Sequence, residues 1–375
     1  MTGRLVALDV PAGPGFVDAL TRTWDDGDAA FPVDQRLPPA SKSAQLAALA
    51  VTVVRDTEGL EHRQPGGRPM EDGDALVVAT SGSTGEPKGV VLTHDAVAAS
   101  ATATSARLEV TGRDHWLACL PLSHVGGLAV VTRALRTGTG LTVLPRFDPV
   151  AVQSASATLV SLVATALRRI DPTSFRRVVL GGATPPDDLP ANVVTTYGMT
   201  ETGSGIVYDG VPLDGVEVRL AEDGEIHVRG PMLLRAYRRA DADVDPTASG
   251  WLATGDLGRW LPDGRLAVDG RRSDLIISGG ENVWPEPVER AIRADIRVAD
   301  VAVAGTPDAE WGHVVTAYVV VAGPEAPSLD DLRRAVREVL PPYCAPRALQ
   351  LVDSIPTTPL GKPQRSALRP VATPS

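Results

Sequence analysis

From Asp74 to Tyr197 short apolar runs alternate with helix-length stretches: DALVVAT, HDAVAASATATSARL, WLACLPL, GGLAVVTRALRTG, TLVSLVATALRRI and RRVVLGGATPP. A strand buried on both faces reads as a continuous apolar run, and joining it to a parallel neighbour takes a helical crossover. The pattern therefore predicts βαβ units and a largely parallel sheet covered by helices. Between Gly215 and Gly270 the texture changes to short alternating strands with turns, as in GEIHVRGP and GRLAVDGR, which predicts an antiparallel subdomain. The last hundred residues read as a small α+β domain: helix PEPVERAIRA, strands VADVAVAG and WGHVVTAYVVV, helix LDDLRRAVREVL, and a Pro-rich tail. Residues 1–70 are punctuated by Pro and Asp, with one helical stretch expected around Ser43–Val54 and no evident chemistry. The fold class expected is thus α/β: a large N-terminal domain of mixed and parallel sheets, an antiparallel subdomain, and a small mobile α+β C-terminal domain. A length of 375 residues accommodates such a set.

Composition removes several function classes. With 46 acidic against 36 basic side chains, the net charge of −10 argues against a general nucleic-acid or anionic-membrane surface. Cys119 and Cys344 are far apart and form no CxxC, and the six histidines make no HExxH or HxH, so neither a disulfide framework nor a thiolate metal site is expected. The start, MTGRLVALDV, lacks a basic segment followed by an apolar one, and the longest uncharged run, Pro149 to Leu167, is too polar for a bilayer core. No membrane insertion and a cytoplasmic location are the expectation.

The most informative segment is Thr80-Ser81-Gly82-Ser83-Thr84-Gly85-Glu86-Pro87-Lys88-Gly89. It follows an apolar strand and precedes VVLTHDAVAAS, expected to be a helix. Glycines allow inward-facing N–H groups, hydroxyls add donors, and Lys88 adds a point charge, a set suited to a polyphosphate. It is not a Walker A loop, because Pro87 precedes the lysine and Gly89 follows it. Downstream come Tyr197-Gly198-Met199-Thr200-Glu201-Thr202, Gly250-Trp251 with Thr254-Gly255-Asp256, the run Gly270–Asn282 (GRRSDLIISGGEN), and Pro356–Lys362 (PTTPLGK). Taken singly, each has a plain alternative. Asp256 suits a turn cap, Glu201 a surface charge, Lys362 a solvated tail lysine and Tyr197 a core aromatic.

Together and in this order, from about Asp74 to Arg369, these segments resemble the adenylate-forming superfamily of acyl-CoA synthetases, peptide-synthetase adenylation domains and luciferases. The resemblance implies a two-step reaction. A carboxylate attacks the α-phosphorus of ATP to give an acyl-adenylate and pyrophosphate, and a thiol such as CoA then displaces AMP. By family position, Thr80, Ser81, Gly82, Ser83, Thr84, Gly85 and Lys88 bind the β- and γ-phosphates. Thr200 holds the α-phosphate and Glu201 binds Mg²⁺. Gly181, Gly182, Ala183 and Tyr197 enclose adenine, Asp256 and Arg271 hold the ribose, and Lys362 serves adenylation. The resemblance also implies domains 1–272 and 273–375 with a hinge at Ser273. Asp or Lys is the more familiar residue at that hinge. After rotation, the Gly279, Gly280, Glu281, Asn282 loop lines the CoA tunnel. A homodimer is compatible with the resemblance but not required by it.

For the acid, Leu120–Leu128 (LPLSHVGGL) ends a strand and opens a helix with His124 at the turn. In the family this His borders the acid, and Gly126 lies beside it; a buried structural His is the alternative. Arg133, seven residues past Gly126, falls on the same helical face and suits either a second substrate carboxylate or a solvated helix surface. The PLSHVGG…TRAL arrangement, the short N-terminal region and the compact length are most similar to the o-succinylbenzoate–CoA ligases of menaquinone biosynthesis. Ligation of another aryl or short-chain acid, or acyl-AMP transfer to a carrier protein, remains the alternative.

Overall fold

The computed structural model describes residues 3–81, 87–182, 185–186, 188–357 and 363–368. They form two compact units. The first comprises Met1–Arg219, His227–Thr254 and Trp260–Leu266; the second comprises Leu220–Ile226, Gly255–Arg259 and Ala267–Ser375.

In the first unit the βαβ pattern produces a seven-stranded sheet. Strands Val193–Gly198, Arg177–Leu180, Leu159–Leu162, His115–Ala118 and Gly140–Val143 lie side by side, all parallel. Gly205–Tyr208 and Val211–Pro212 extend the sheet antiparallel at one edge. Leu117, Val160, Leu162, Val178 and Leu180 are buried together, as near-continuous apolar strands require. Helices His94–Arg107 and Val125–Thr137 pack against each other. The first starts at Thr93, whose hydroxyl accepts from the Ala96 N–H; the second stops at Gly138, with φ 65°.

A second, eight-stranded sheet runs Asp243–Val244, Ala236–Arg238, Pro87–Thr93, Asp74–Ser81, Ala29–Pro32, Leu5–Leu8, Val53–Arg55, Glu61–Arg63. Two expectations are corrected here. The helix expected after Gly89 begins only at His94, because Pro87–Thr93 pairs antiparallel with Asp74–Ser81, Thr80 opposite Lys88. Val90, Val91 and Leu92 are buried in that sheet, and burial of β-branched residues outweighs continuity with the following helix. The helix expected over Ser43–Val54 is also displaced. It spans Pro39–Ala48, and Val53–Arg55 is a strand parallel to Leu5–Leu8.

Asp114 pins the lower edge of the parallel sheet. Its carboxylate accepts two bonds from Arg176 at 2.8 Å each and one from Thr158 at 2.8 Å. Burial opposes ionisation, but these donors outweigh it and hold the pKa at about 2. A depressed carboxylate pKa stabilises the fold above the unfolded value near 4, and that contribution is lost as pH falls toward 2. Asp114→Asn is expected to cost about 2 kcal/mol at pH 6 and to converge on the parent near pH 2. Urea unfolding at the two pH values checks this; a gap that persists at low pH would count against it.

Leu252–Trp260 and Leu266–Arg271 belong, with Glu217–Leu220 and Glu225–Arg229, to a four-stranded sheet in the region where the two units divide. Within the second unit, Val298–Asp308 and Gly312–Val321 pair antiparallel, Ala348–Leu351 adds parallel, and Ile276–Ser278 joins antiparallel at Gly312. Helices Pro285–Arg293 and Leu329–Val339 bury Val288, Ile292, Leu332 and Val336 against Val301, Val303, Val315 and Val319. This is the α+β domain expected. No helix is long and apolar enough to cross a membrane among the described residues.

Candidate active site

Open parallel sheets gather ligands at the carboxyl ends of their strands. In the first unit, Gly181-Gly182 follow Arg177–Leu180, Tyr197 ends Val193–Gly198, and the 119–128 segment leaves His115–Ala118. Three of the segments picked out by sequence therefore emerge from one edge. Tyr197 is half-buried and Gly182 sits at φ 92°, a conformation open to glycine. Gly198 has no room for a side chain, since a Cβ would lie 2.2 Å from the Ser204 carbonyl. After it, Thr200–Thr202 form a 3₁₀ turn closed by Thr202, whose hydroxyl accepts from the Met199 N–H at 3.0 Å.

That turn presents Glu201 to the hairpin carrying Lys88. The Lys88 ammonium is 3.5 Å from Glu201 Oε1 and 3.5 Å above the Tyr237 ring. The Tyr237 hydroxyl donates to the same Oε1 at 2.9 Å. Burial first, then the facing carboxylate, holds the Tyr237 phenol above its ordinary pKa. Both contacts fall on Oε1. A carboxylate held in place by one of its oxygens fits Mg²⁺, which takes one or two carboxylates and completes its shell with substrate phosphates and water. Tyr237 was not foreseen from sequence; it reaches the site because Ala236–Arg238 pairs with Pro87–Thr93, Tyr237 opposite Val90.

On the acid side, Val125–Thr137 forms the expected helix and His124 is its N-cap. Gly127 lies where a Cβ would come 2.4 Å from the Leu120 carbonyl, so glycine lets the helix start against the preceding loop. Gly126 is exposed. Arg133 is not on a solvated face: it is 2% exposed, in a helix whose residues 127–134 are all buried. Its Nη2 donates to Ser204 Oγ, and its guanidinium lies 5.5 Å from the Trp116 ring centre. Among the described residues, Nε and Nη1 have no hydrogen-bond partner. No carboxylate among the described residues pairs with it, and burial holds its pKa below the ordinary arginine value. His124 is also drawn to residues 33–36, a region for which no chemistry was expected. Arg36 Nη2 lies 3.0 Å from its Nε2.

In the second unit, Asp256 is buried and its Oδ1 is 3.6 Å from Arg271 Nε. Arg272 pairs instead with Asp223 at 2.7 Å and Glu225 at 3.0 Å. Ser273 lies in the Arg272–Asp274 turn and donates to Asp274 at 3.4 Å. Gly279-Gly280 form the two-residue loop of a hairpin, Ser278 opposite Glu281 and Ile277 opposite Asn282, with φ 58° and 85°. Two consecutive positive φ values are the signature of a type I′ turn. A Cβ at Gly279 would also meet the Trp311 ring at 2.5 Å, whereas one at Gly280 meets nothing within 4 Å. Gly280→Ala is therefore expected to cost about 1–2 kcal/mol from the backbone alone, and Gly279→Ala measurably more. Thermal unfolding of the two variants decides this, and equal losses would contradict it. Gly82, Ser83, Thr84, Gly85, Ala183 and Lys362 lie outside the described residues, as does the Ser81 side chain.

A model of the AMP-binding enzyme family matches residues 24–238, and one of the AMP-binding enzyme C-terminal domain matches 287–362. The chain belongs to the AMP-binding enzyme family. It is 37% identical over 393 aligned positions to the probable 2-succinylbenzoate–CoA ligase of Mycobacterium tuberculosis, covering 96% of this chain and 97% of that one. The 2-succinylbenzoate–CoA ligase of Bacillus cytotoxicus is 36% identical over 334, covering 78% and 69%. Among solved structures, the Bacillus subtilis o-succinylbenzoate CoA synthetase (MenE) bound to the acyl-adenylate OSB-AMP superposes with a TM-score of 0.87 at 29% identity, covering 99% and 89%. The same protein with ATP and magnesium ion gives 0.86 at 28%, covering 98% and 89%.

Proposed function

We propose that this chain is an AMP-forming ligase that joins 2-succinylbenzoate to CoA through an acyl-adenylate. The observation that carries the choice of acid is Arg133. Burying a guanidinium without a counter-ion costs several kcal/mol, so a cation kept there with two donors unused calls for an anionic partner brought by the substrate. The ring carboxylate of 2-succinylbenzoate supplies one, while the succinyl carboxylate reacts. A fatty acid leaves Arg133 unpaired.

In the first step a succinyl carboxylate oxygen bonds to the α-phosphorus as the bond to the β-phosphate oxygen breaks, releasing pyrophosphate. Two anions must approach, so the chain supplies charge and oriented donors rather than covalent help. Thr80, Ser81, Gly82, Ser83, Thr84, Gly85 and Lys88 cradle the β- and γ-phosphates, Thr200 the α-phosphate, and Lys362 offsets charge on the reacting oxygens. Glu201, held by Tyr237, takes the Mg²⁺, which when bound neutralises phosphate charge. Gly181, Gly182, Ala183 and Tyr197 flank adenine; Asp256 and Arg271 hold the ribose. In the second step the CoA sulfur bonds to the acyl carbon and AMP leaves with the electron pair of the broken acyl–oxygen bond. Residues 273–375 rotate about Ser273 between steps, withdrawing Lys362 and presenting Gly279, Gly280, Glu281 and Asn282 to the thiol. A cytoplasmic location suits a reaction that draws on ATP and CoA. A homodimer is not needed, because every group named comes from one chain.

Incubation with ATP, Mg²⁺, CoA and a panel of acids tests the reading. AMP and thioester are expected with 2-succinylbenzoate well above benzoate, octanoate or malonate. Thioester formation favouring one of the others sinks the choice of acid. Adenylate without free thioester points to transfer onto a carrier.

A further inference from the structure

The segment that follows strand Ala29–Pro32 supplies polar groups to His124 from 88 positions away. Asp34 grips Arg36 in a fork: Nε to Oδ1 at 2.8 Å, Nη2 to Oδ2 at 2.6 Å, and the Arg36 main-chain N–H to Oδ1 at 3.0 Å. The same Nη2 faces His124 Nε2 at 3.0 Å, while Asp34 Oδ2 stands 3.7 Å from that nitrogen. Asp34 is 8% exposed and the His124 side chain 21%, while Arg36 bridges them from the surface with 45% of its side chain exposed.

A guanidinium has only donors, so a ring nitrogen in contact with it must offer a lone pair. We infer that Asp34 and Arg36 are positioning residues that hold His124 neutral, with Nε2 accepting from Arg36 and the single ring proton on Nδ1. Asp34 aligns the fork and cancels the charge that Arg36 would otherwise bring beside the ring. Without Arg36 the nearest charged partner of Nε2 is the Asp34 carboxylate, which favours a proton on Nε2, the opposite tautomer or an imidazolium. Burial and then the Arg36 charge depress the His124 pKa while Asp34 opposes them, which agrees with a neutral ring. The consequence for catalysis rests on the reading of His124 as bordering the acid. Its one donor, Nδ1–H, is then assigned before substrate arrives, and the ring adds no formal charge beside the adenylate.

The test is ¹⁵N-detected imidazole correlation on the full-length protein near neutral pH, with His124 resonances identified by their loss in His124→Gln. The parent should show a protonated Nδ1 and an unprotonated, pyridine-type Nε2. Arg36→Met should move the proton onto Nε2, and Arg36→Lys should keep the parental pattern. In adenylation assays Arg36→Met should lower kcat by up to about 100-fold with KM for ATP unchanged, partly recovered in Arg36→Lys. A parental spectrum with the proton on Nε2, or an unchanged tautomer in Arg36→Met, overturns the inference. So does a tautomer change that leaves kcat untouched. The spectra need no substrate, so a wrong choice of acid would leave them intact, whereas a wrong tautomer would not alter the acid panel.

Discussion

Replacing Arg133 by Met is expected to lower kcat/KM for 2-succinylbenzoate by about 30- to 5000-fold, the range set by 2–5 kcal/mol for truncating one partner of a buried charge pair. The same variant should handle 4-oxo-4-phenylbutanoate, which lacks the ring carboxylate, about as well as the parent does. Met fills a similar volume without polar atoms, and removing a buried cation that has no counter-ion in the free protein should leave stability equal or higher. Among the described residues Arg133 donates to Ser204, lies against the Trp116 ring and forms no ion pair. Equal losses on both acids, or a clear drop in melting temperature, would mean that Arg133 serves the fold and not the substrate.

Lys362→Ala is expected to slow acyl-adenylate formation by about 10²–10³-fold, the usual loss when one group stabilising charge in the transition state is removed. Thioester formation from preformed acyl-adenylate should change only a few-fold. Three positions further along the chain, Arg365 is anchored in the second unit: it donates to Asp274 at 2.9 Å, to buried Glu289 at 2.7 Å and to the Val303 carbonyl at 3.0 Å. A group carried by that unit can be present in one half-reaction and withdrawn in the other. Comparable losses in both half-reactions would contradict domain alternation.

What could be read from sequence followed from local pattern. The parallel sheet was legible because strands buried on both faces must be apolar throughout, and the C-terminal helices because Val288 and Ile292, or Leu332 and Val336, recur at one-turn spacing. The hairpin carrying Lys88 was misread as strand and helix, since VVLT runs into HDAVAAS without Gly or Pro; Thr93 as an N-cap was the available sign. Tyr237 and the Asp34–Arg36 pair had no local sign at all. They reach Glu201 and His124 through strand pairing and packing between distant segments, which no short window contains. The burial of Arg133 was half-legible, because VVTRAL surrounds it with residues of a core-facing helix.

The most direct test of the account withholds CoA. With enzyme, ATP, Mg²⁺ and 2-succinylbenzoate, pyrophosphate should appear in an amount stoichiometric with enzyme, with the acyl-adenylate retained. AMP and thioester should then follow together on adding CoA. Enzyme that binds ATP yet releases no pyrophosphate with this acid, or that forms the thioester with no adenylate preceding it, would contradict the account.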